Sequence, residues 1–403
     1  MGDEVKSVRG LVLAFATLVF VAGCGRVPGG PAPASDYKLY EAAATGGSQQ
    51  LSVIDSRAHS VDLSMPLGTP SPDWTHLYTL NGPLLVDLDP QTGATLRTLR
   101  LPGYYQLPPA DSAGVPGGLS QNGQWLVLES QSVANTSRLL LVDTSYAKPP
   151  DQIDLKGDFT FDAVSNDGDR IFLIEHVSDT HYFVRRFDVR IGQLDPNVII
   201  DKSDGDAAMA GLRLYGLASP DGSFLYSVYI RQDKSAFIHA LSLSDLGLAY
   251  CIELPGSGKW SLALSADGAH LYAANGAAGI VADVTTNGNA PPAIARVSHI
   301  GGGRGGEHGG GAVLSPDGKT LVVAGSAGLV WVDTASLHAH DRWLGEWTVA
   351  SVALSSDGTT LYTVDDAGMI AEVRMEGSHA PTTFGGAPGQ PLELIRVEAV
   401  QTP

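Results

Sequence analysis

The sequence predicts an all-β chain folded as a seven-bladed β-propeller, with eight blades as the alternative, behind an N-terminal lipoprotein signal and tether. Three observations predict it. A Ser-x-Asp-Gly-like tetrapeptide recurs along the chain, and two apolar runs of strand length follow each copy. The 403 residues also include 48 glycines and 24 prolines, which punctuate a chain with turns rather than long helices.

The tetrapeptides are SPDW at Ser71, SQNG at Ser120, SNDG at Ser165, SPDG at Ser219, SADG at Ser265, SPDG at Ser315 and SSDG at Ser355. Their serines stand 49, 45, 54, 46, 50 and 40 residues apart. The strand after each turn reads HLYTL, WLVLE, RIFLI, FLYSV, HLYAA, TLVVA or TLYTV, and a second apolar strand follows in every case. A period of this length built from strands and turns is the pattern of propeller blades. The turn chemistry agrees. Asp or Asn bonds nearby backbone and Gly supplies a left-handed residue, so the tetrapeptide closes a tight hairpin. The runs before the turns (AVLS, LALS, VALS) are apolar at most positions, as expected of inner strands covered on both faces. Trp74 replaces the glycine in the first copy, so that turn is expected to be of another type.

Seven anchors predict seven blades, closed by joining the two chain ends. Only Gly68-Thr69-Pro70 separates VDLSMPL (61–67) from the first anchor, so VDLSMPL is expected to be the inner strand of that blade. The earlier runs KLYEAA and LSVID (38–55) would complete the last blade, alongside or instead of LELIRVEAV (392–400). As a pair of middle strands without an anchor, they are also the source of the eight-blade alternative.

Ahead of the repeats, Lys6 and Arg9 precede the apolar run LVLAFATLVFVA (11–22), too short to span a bilayer comfortably and suited to a secretory signal. It runs into Val21-Ala22-Gly23-Cys24, which resembles the bacterial lipobox. The expected organisation is a signal peptide over 1–23, a lipidated Cys24 with a Pro/Gly-rich tether over 24–37, and the propeller over 38–403. The chain would then sit outside the cytoplasm, anchored in a membrane through its N-terminal lipid. Cys251 is left as the single cysteine of the mature chain, within the apolar run LAYCIEL, and is expected to be buried and inert. A formal charge of −18 repels nucleic acid and excludes it as a partner.

LSPDGKTLVVAGSAGLVWVDTASL (314–337) and LYEAAATGGSQQLSVIDSRAHSVDLSMPLG (39–68) resemble YVTN-type, WD40-like repeats. Such repeats occur in lactonase-like and quinoprotein amine dehydrogenase β-chain-like propellers. The resemblance covers about residues 38–400 and implies the propeller fold. The matching residues belong to turns and strands, and no catalytic residue of those families maps onto this chain.

The candidate functional residues come from the loops that lead from one blade to the next. The stretch GGGRGGEHGGG (301–311) is followed by the strand-like AVLS rather than a helix, so it is no phosphate cradle; the same holds for GSGKW (256–260). Equivalent loops carry one cation each, Lys156, Arg213, Lys259 and Arg304, with Phe159, Tyr215, Trp260 and, one loop on, Trp347 as accompanying aromatics. Gathered at the channel mouth they would hold a small anionic ligand or a protein partner. Glu307 and His308 could add acid–base or metal-binding capacity. Otherwise these cations are solvated loop tips that pair with acids such as Asp158. His338 and His340 supply only two local imidazoles, and DKSDGDAAM (201–209) misplaces the glycine of a calcium loop, so no metal and no cofactor is expected. The expected function is recognition or scaffolding through the channel-side loops; the alternative is a lactonase-like hydrolase or the propeller subunit of a redox enzyme.

Overall fold

A computed structural model describes residues 36–110, 114–130, 135–178, 181–203, 205, 208–244, 247–286, 290–301, 310–377 and 380–400. Cys24, the signal and most of the tether lie outside the described residues, as do Arg304, Glu307 and His308.

Among the described residues the strands form eight blades, antiparallel throughout except where Ile200–Asp201 pairs parallel to the edge of blade 5. Blade 1 joins the chain ends: Tyr37–Thr45, Ser48–Asp55 and Ser60–Pro66 pair outward in order, while Gln390–Ala399 lies inside Tyr37–Thr45. Blade 2 holds Thr69–Pro70, Leu77–Asn81, Leu84–Leu88 and Thr95–Arg100. Blade 3 has Trp125–Glu129, Thr136–Asp143 and Asp151–Lys156, its inner strand reduced to a bridge from Leu119 to Leu126. Blade 4 spans Phe159–Val198 and blade 5 spans Leu212–Ser257. Blades 6, 7 and 8 span Ser261–His299, Gly311–Trp343 and Val349–Gly385.

Of the two expected blade counts the alternative, eight, holds, because the N-terminal strands are not absorbed into the last anchored blade. They form their own blade with Gln390–Ala399, which confirms closure by the two chain ends. VDLSMPL, for its part, supplies the outer strand of blade 1 rather than an inner strand of blade 2. Its side chains are mostly exposed, as an outer strand requires.

The core is a ring. Eight apolar clusters each sit between two neighbouring blades, among the described residues. Period-two alternation divides each middle strand between two of them. Leu126 and Leu128 face blade 2 while Val127 faces blade 4; Leu271 and Ala273 face blade 5 while Tyr272 and Ala274 face blade 7. This is why the middle strands read as unbroken apolar runs rather than alternating ones.

The seven turns share one hydrogen-bond pattern. Each serine hydroxyl donates to the Asp or Asn two residues on at 2.5–2.7 Å. The same oxygen accepts the amide five residues on at 2.9–3.1 Å. Trp74 does not change the turn type, contrary to expectation. It adopts the left-handed conformation itself, with φ of 58°, and donates its amide to Ser71 as the glycines do to theirs. That conformation costs a non-glycine residue about 1–2 kcal/mol. Burial of the indole offsets it, edge-on to Tyr40 at 5.0 Å and beneath the Arg396 guanidinium at 5.2 Å. Successive turns also touch: Asn122 Nδ2 donates to the Asn166 carbonyl at 2.9 Å, and a Cβ on Gly358 would lie 2.3 Å from Pro316.

On the rim, blades 2 and 6 carry the same clamp. His76 and Arg97 converge on buried Asp87 at 2.9 and 2.7 Å; His270 and Arg296 converge on buried Asp283 at 3.0 and 2.5 Å. Arg97 continues to the Ser145 carbonyl of blade 3 and Arg296 to the Ala335 carbonyl of blade 7, so each clamp ties two blades together.

Candidate functional site

Inner strands begin on the face opposite the Ser-x-Asp-Gly turns, and two cavities open there. The larger, about 560 Å³, occupies the channel mouth. Its walls are the inner strands of blades 5, 6, 7, 8 and 1, with Tyr215, Lys259, Trp260, Ser351 and Glu393 among the lining residues and Asp366 added from the turn after Thr360–Asp365. Lys259 is exposed, whereas Trp260 is buried and its indole nitrogen has no hydrogen-bond partner. The wall thus combines one cation with two carboxylates and a buried aromatic floor.

The second cavity, about 370 Å³, lies beside the channel across blades 3, 4 and 5. Phe161, Tyr182 and Tyr229 give it aromatic walls, and Glu129, Asp162, His176 and Arg213 give it polar groups. Asp162 owes its position to a β-bulge. Phe161 pairs with Leu173 and Ala163 with Phe172, which leaves Asp162 as the extra residue of the inner strand. Bulges of this kind re-aim a side chain. Its carboxylate meets Arg213 of blade 5 at 3.1 Å through Oδ1, and is only 2% exposed. The other oxygen, Oδ2, and Arg213 Nε are both buried without a hydrogen-bond partner.

Around this pair, burial controls the titrating groups. The Glu129 carboxyl is pushed up by desolvation, although the Phe161 amide donated to its Oε1 works in the opposite direction. Burial likewise raises the Tyr182 and Tyr229 hydroxyls and lowers the His239 imidazole packed edge-on against Tyr229. His176 reaches Thr160 Oγ1 at 3.0 Å on the open side.

The structure distributes the anticipated residues. Tyr215, Lys259 and Trp260 come together in the channel mouth, and Arg213, two residues before Tyr215, enters the second cavity. Lys156 ends the outer strand of blade 3 as an exposed residue, and lines neither cavity. Phe159 is buried between blades 3 and 4, and Trp347 packs among Trp331, Val349 and their neighbours between blades 7 and 8. His338 and His340 share the exposed side of the outer strand of blade 7. Among the described residues no three of His, Cys, Asp or Glu gather as a metal-ligand set. Asp201, from the calcium-like loop, lies in the short edge strand Ile200–Asp201 of blade 5 and accepts the Cys251 amide of the neighbouring strand at 3.1 Å; Cys251 is half-buried. Sequence reading missed Asp162 and Glu129, which carry no local motif: the partner of Asp162 lies 51 residues away.

No family model and no curated protein matches the chain. Solved structures do match. Dihydro-heme d1 dehydrogenase NirN in complex with DHE aligns with a TM-score of 0.54 at 16% identity, over 91% of this chain and 76% of that one. The shared feature is the propeller fold. Periplasmic gluconolactonase PpgL of Pseudomonas aeruginosa aligns with a TM-score of 0.49 at 19% identity, over 92% of this chain and all of that one (100%). Chaetomium thermophilum Sqt1, bound to the N-terminus of ribosomal protein L10, aligns at 0.48 and 17% identity over 80% and 87%. At these identities the likeness is one of architecture, which many unrelated activities share.

Proposed function

We propose that this chain is a membrane-anchored propeller outside the cytoplasm, and that it recognises a protein segment or small anionic ligand at the channel mouth. One observation carries the reading: Lys259, Trp260 and Tyr215 line a single cavity of about 560 Å³. That volume falls within the roughly 300–1,000 Å³ of small-molecule sites. A cation beside an aromatic floor offers charge and apolar contact together. Asp366 and Glu393 on the same wall would discriminate against ligands that carry negative charge on every side. The lipobox-like Val21-Ala22-Gly23-Cys24 supports anchoring.

Calorimetric titration of the chain with small carboxylates and phosphates tests the site. Loss of one charge-assisted contact of about 1.5–3 kcal/mol should make Lys259→Ala roughly ten- to hundredfold weaker. Binding unchanged in Lys259→Ala would remove the mouth from consideration. Anchoring is tested separately: Cys24→Ala should move the chain from the membrane to the soluble fraction. Of the enzymatic alternatives, the propeller subunit of a redox enzyme draws on fold likeness to NirN, and would gain from a chelator-removable mass in native mass spectrometry.

A further inference from the structure

The cavity across blades 3, 4 and 5 is separate from the channel mouth in its lining residues, and its chemistry differs. Arg213 has its charge already matched by Asp162, so the cavity holds no spare guanidinium for an anion. Asp162 Oδ2 and Arg213 Nε remain, an acceptor and a donor carried on one ion pair. A buried acceptor left without a partner costs about 1–3 kcal/mol, so the pair is poised to accept a group that both donates and accepts. A hydroxyl does both. Glu129, Thr160, His176 and Ser178 provide further hydrogen-bonding groups around the same space. Phe161, Tyr182 and Tyr229 offer aromatic surface to the apolar side of a ring. The bulge that aims Asp162 toward Arg213 fixes the pair on two rigid inner strands rather than on a loop.

We infer that this crevice is a second ligand site, specific for a small uncharged, hydroxyl-rich ring such as a monosaccharide unit, held by the Asp162–Arg213 pair and the three aromatic residues. The cavity of about 370 Å³ suits one such unit. Leu212, exposed at 61%, stands at its rim.

The test is saturation-transfer NMR and calorimetry on the full chain, held in a detergent without a sugar headgroup. The probes are D-glucose, D-mannose and N-acetyl-D-glucosamine, with inorganic phosphate and ethanolamine as charged controls. At least one sugar should bind saturably, and Asp162→Asn should weaken it by about tenfold or more. Leu212→Trp, which fills the crevice from its exposed rim without touching the core, should abolish binding while keeping the melting temperature. That variant decides the matter if Asp162→Asn does not fold. Lys259→Ala should leave sugar binding unchanged, which separates this site from the channel mouth. Three outcomes overturn the inference: no sugar binds, sugar binding survives in Leu212→Trp, or phosphate or ethanolamine binds in preference.

Discussion

Glu41 lies in the middle of Tyr37–Thr45, fully buried in the blade that closes the ring. Its Oε2 accepts the Ala387 amide at 2.7 Å, on the connection that leads the chain into the closing strand, and its Oε1 has no partner. Desolvation outweighs that single bond and pushes the carboxyl from 4.5 up to about 7. Between these values the folded chain holds a proton that the unfolded chain has released, so stability falls as pH rises through the interval and is flat above it. At 1.36 kcal/mol per unit of pKa the interval amounts to about 3 kcal/mol. Glu41→Gln removes this titration while leaving others in place. Denaturant unfolding of both proteins from pH 4.5 to 8 isolates the effect in the difference between the two curves. The stability of Glu41→Gln relative to the parent should rise by about 3 kcal/mol across that range. Parallel curves would mean that Glu41 reaches water or a further partner, and the burial argument would fail.

Two more predictions concern the frame. Gly318 and Gly358 have φ of 70° and 72°, but an added Cβ meets nothing within 4 Å at Gly318 and Pro316 at 2.3 Å at Gly358. Gly318→Ala should therefore cost about 1–2 kcal/mol from backbone strain alone, and Gly358→Ala measurably more, by thermal unfolding. Equal losses would show that contact between successive turns carries no weight. Asp283→Ala should cost about 1–3 kcal/mol by removing the acceptor shared by His270 and Arg296. With Asp87→Ala, four blades away, the losses should add to within about 0.5 kcal/mol. A strongly non-additive double variant would indicate that the clamps communicate around the ring.

The turns were legible because a Ser-x-Asp-Gly turn is a local event: every bond that makes it lies within five residues. The closing blade was not. Its inner strand comes from residues 390–399 and its middle strands from 37–55, so no hairpin and no anchor serine joins them. Blade 2 misled for a related reason. An inner strand of two residues, Thr69–Pro70, is too short to leave an apolar run, and the longer VDLSMPL nearby took its place in the reading. That Lys259, Trp260 and Tyr215 share one cavity was legible from loop position within the repeat, although the same logic did not bring Lys156, Phe159 or Trp347 to it. Asp162 was hidden because its role depends on a bulge and on an arginine in the next blade, and neither has a signature in FTFDAV.

Closure of the ring also determines how the molecule bears load. The segment ahead of residue 37 leads straight into a strand flanked on both sides, by Ser48–Asp55 and by Gln390–Ala399. The Asp36 carbonyl accepts the Val400 amide at 2.9 Å, so the two ends are stitched at the point of entry. Antiparallel hydrogen bonds run perpendicular to the strands. Tension along the incoming chain is therefore shared by two ladders in shear, instead of opening one ladder bond by bond from an edge. The tether proposed above would pull against the most heavily cross-linked strand of its blade, and the ring would stay shut under drag that unzips an outer strand.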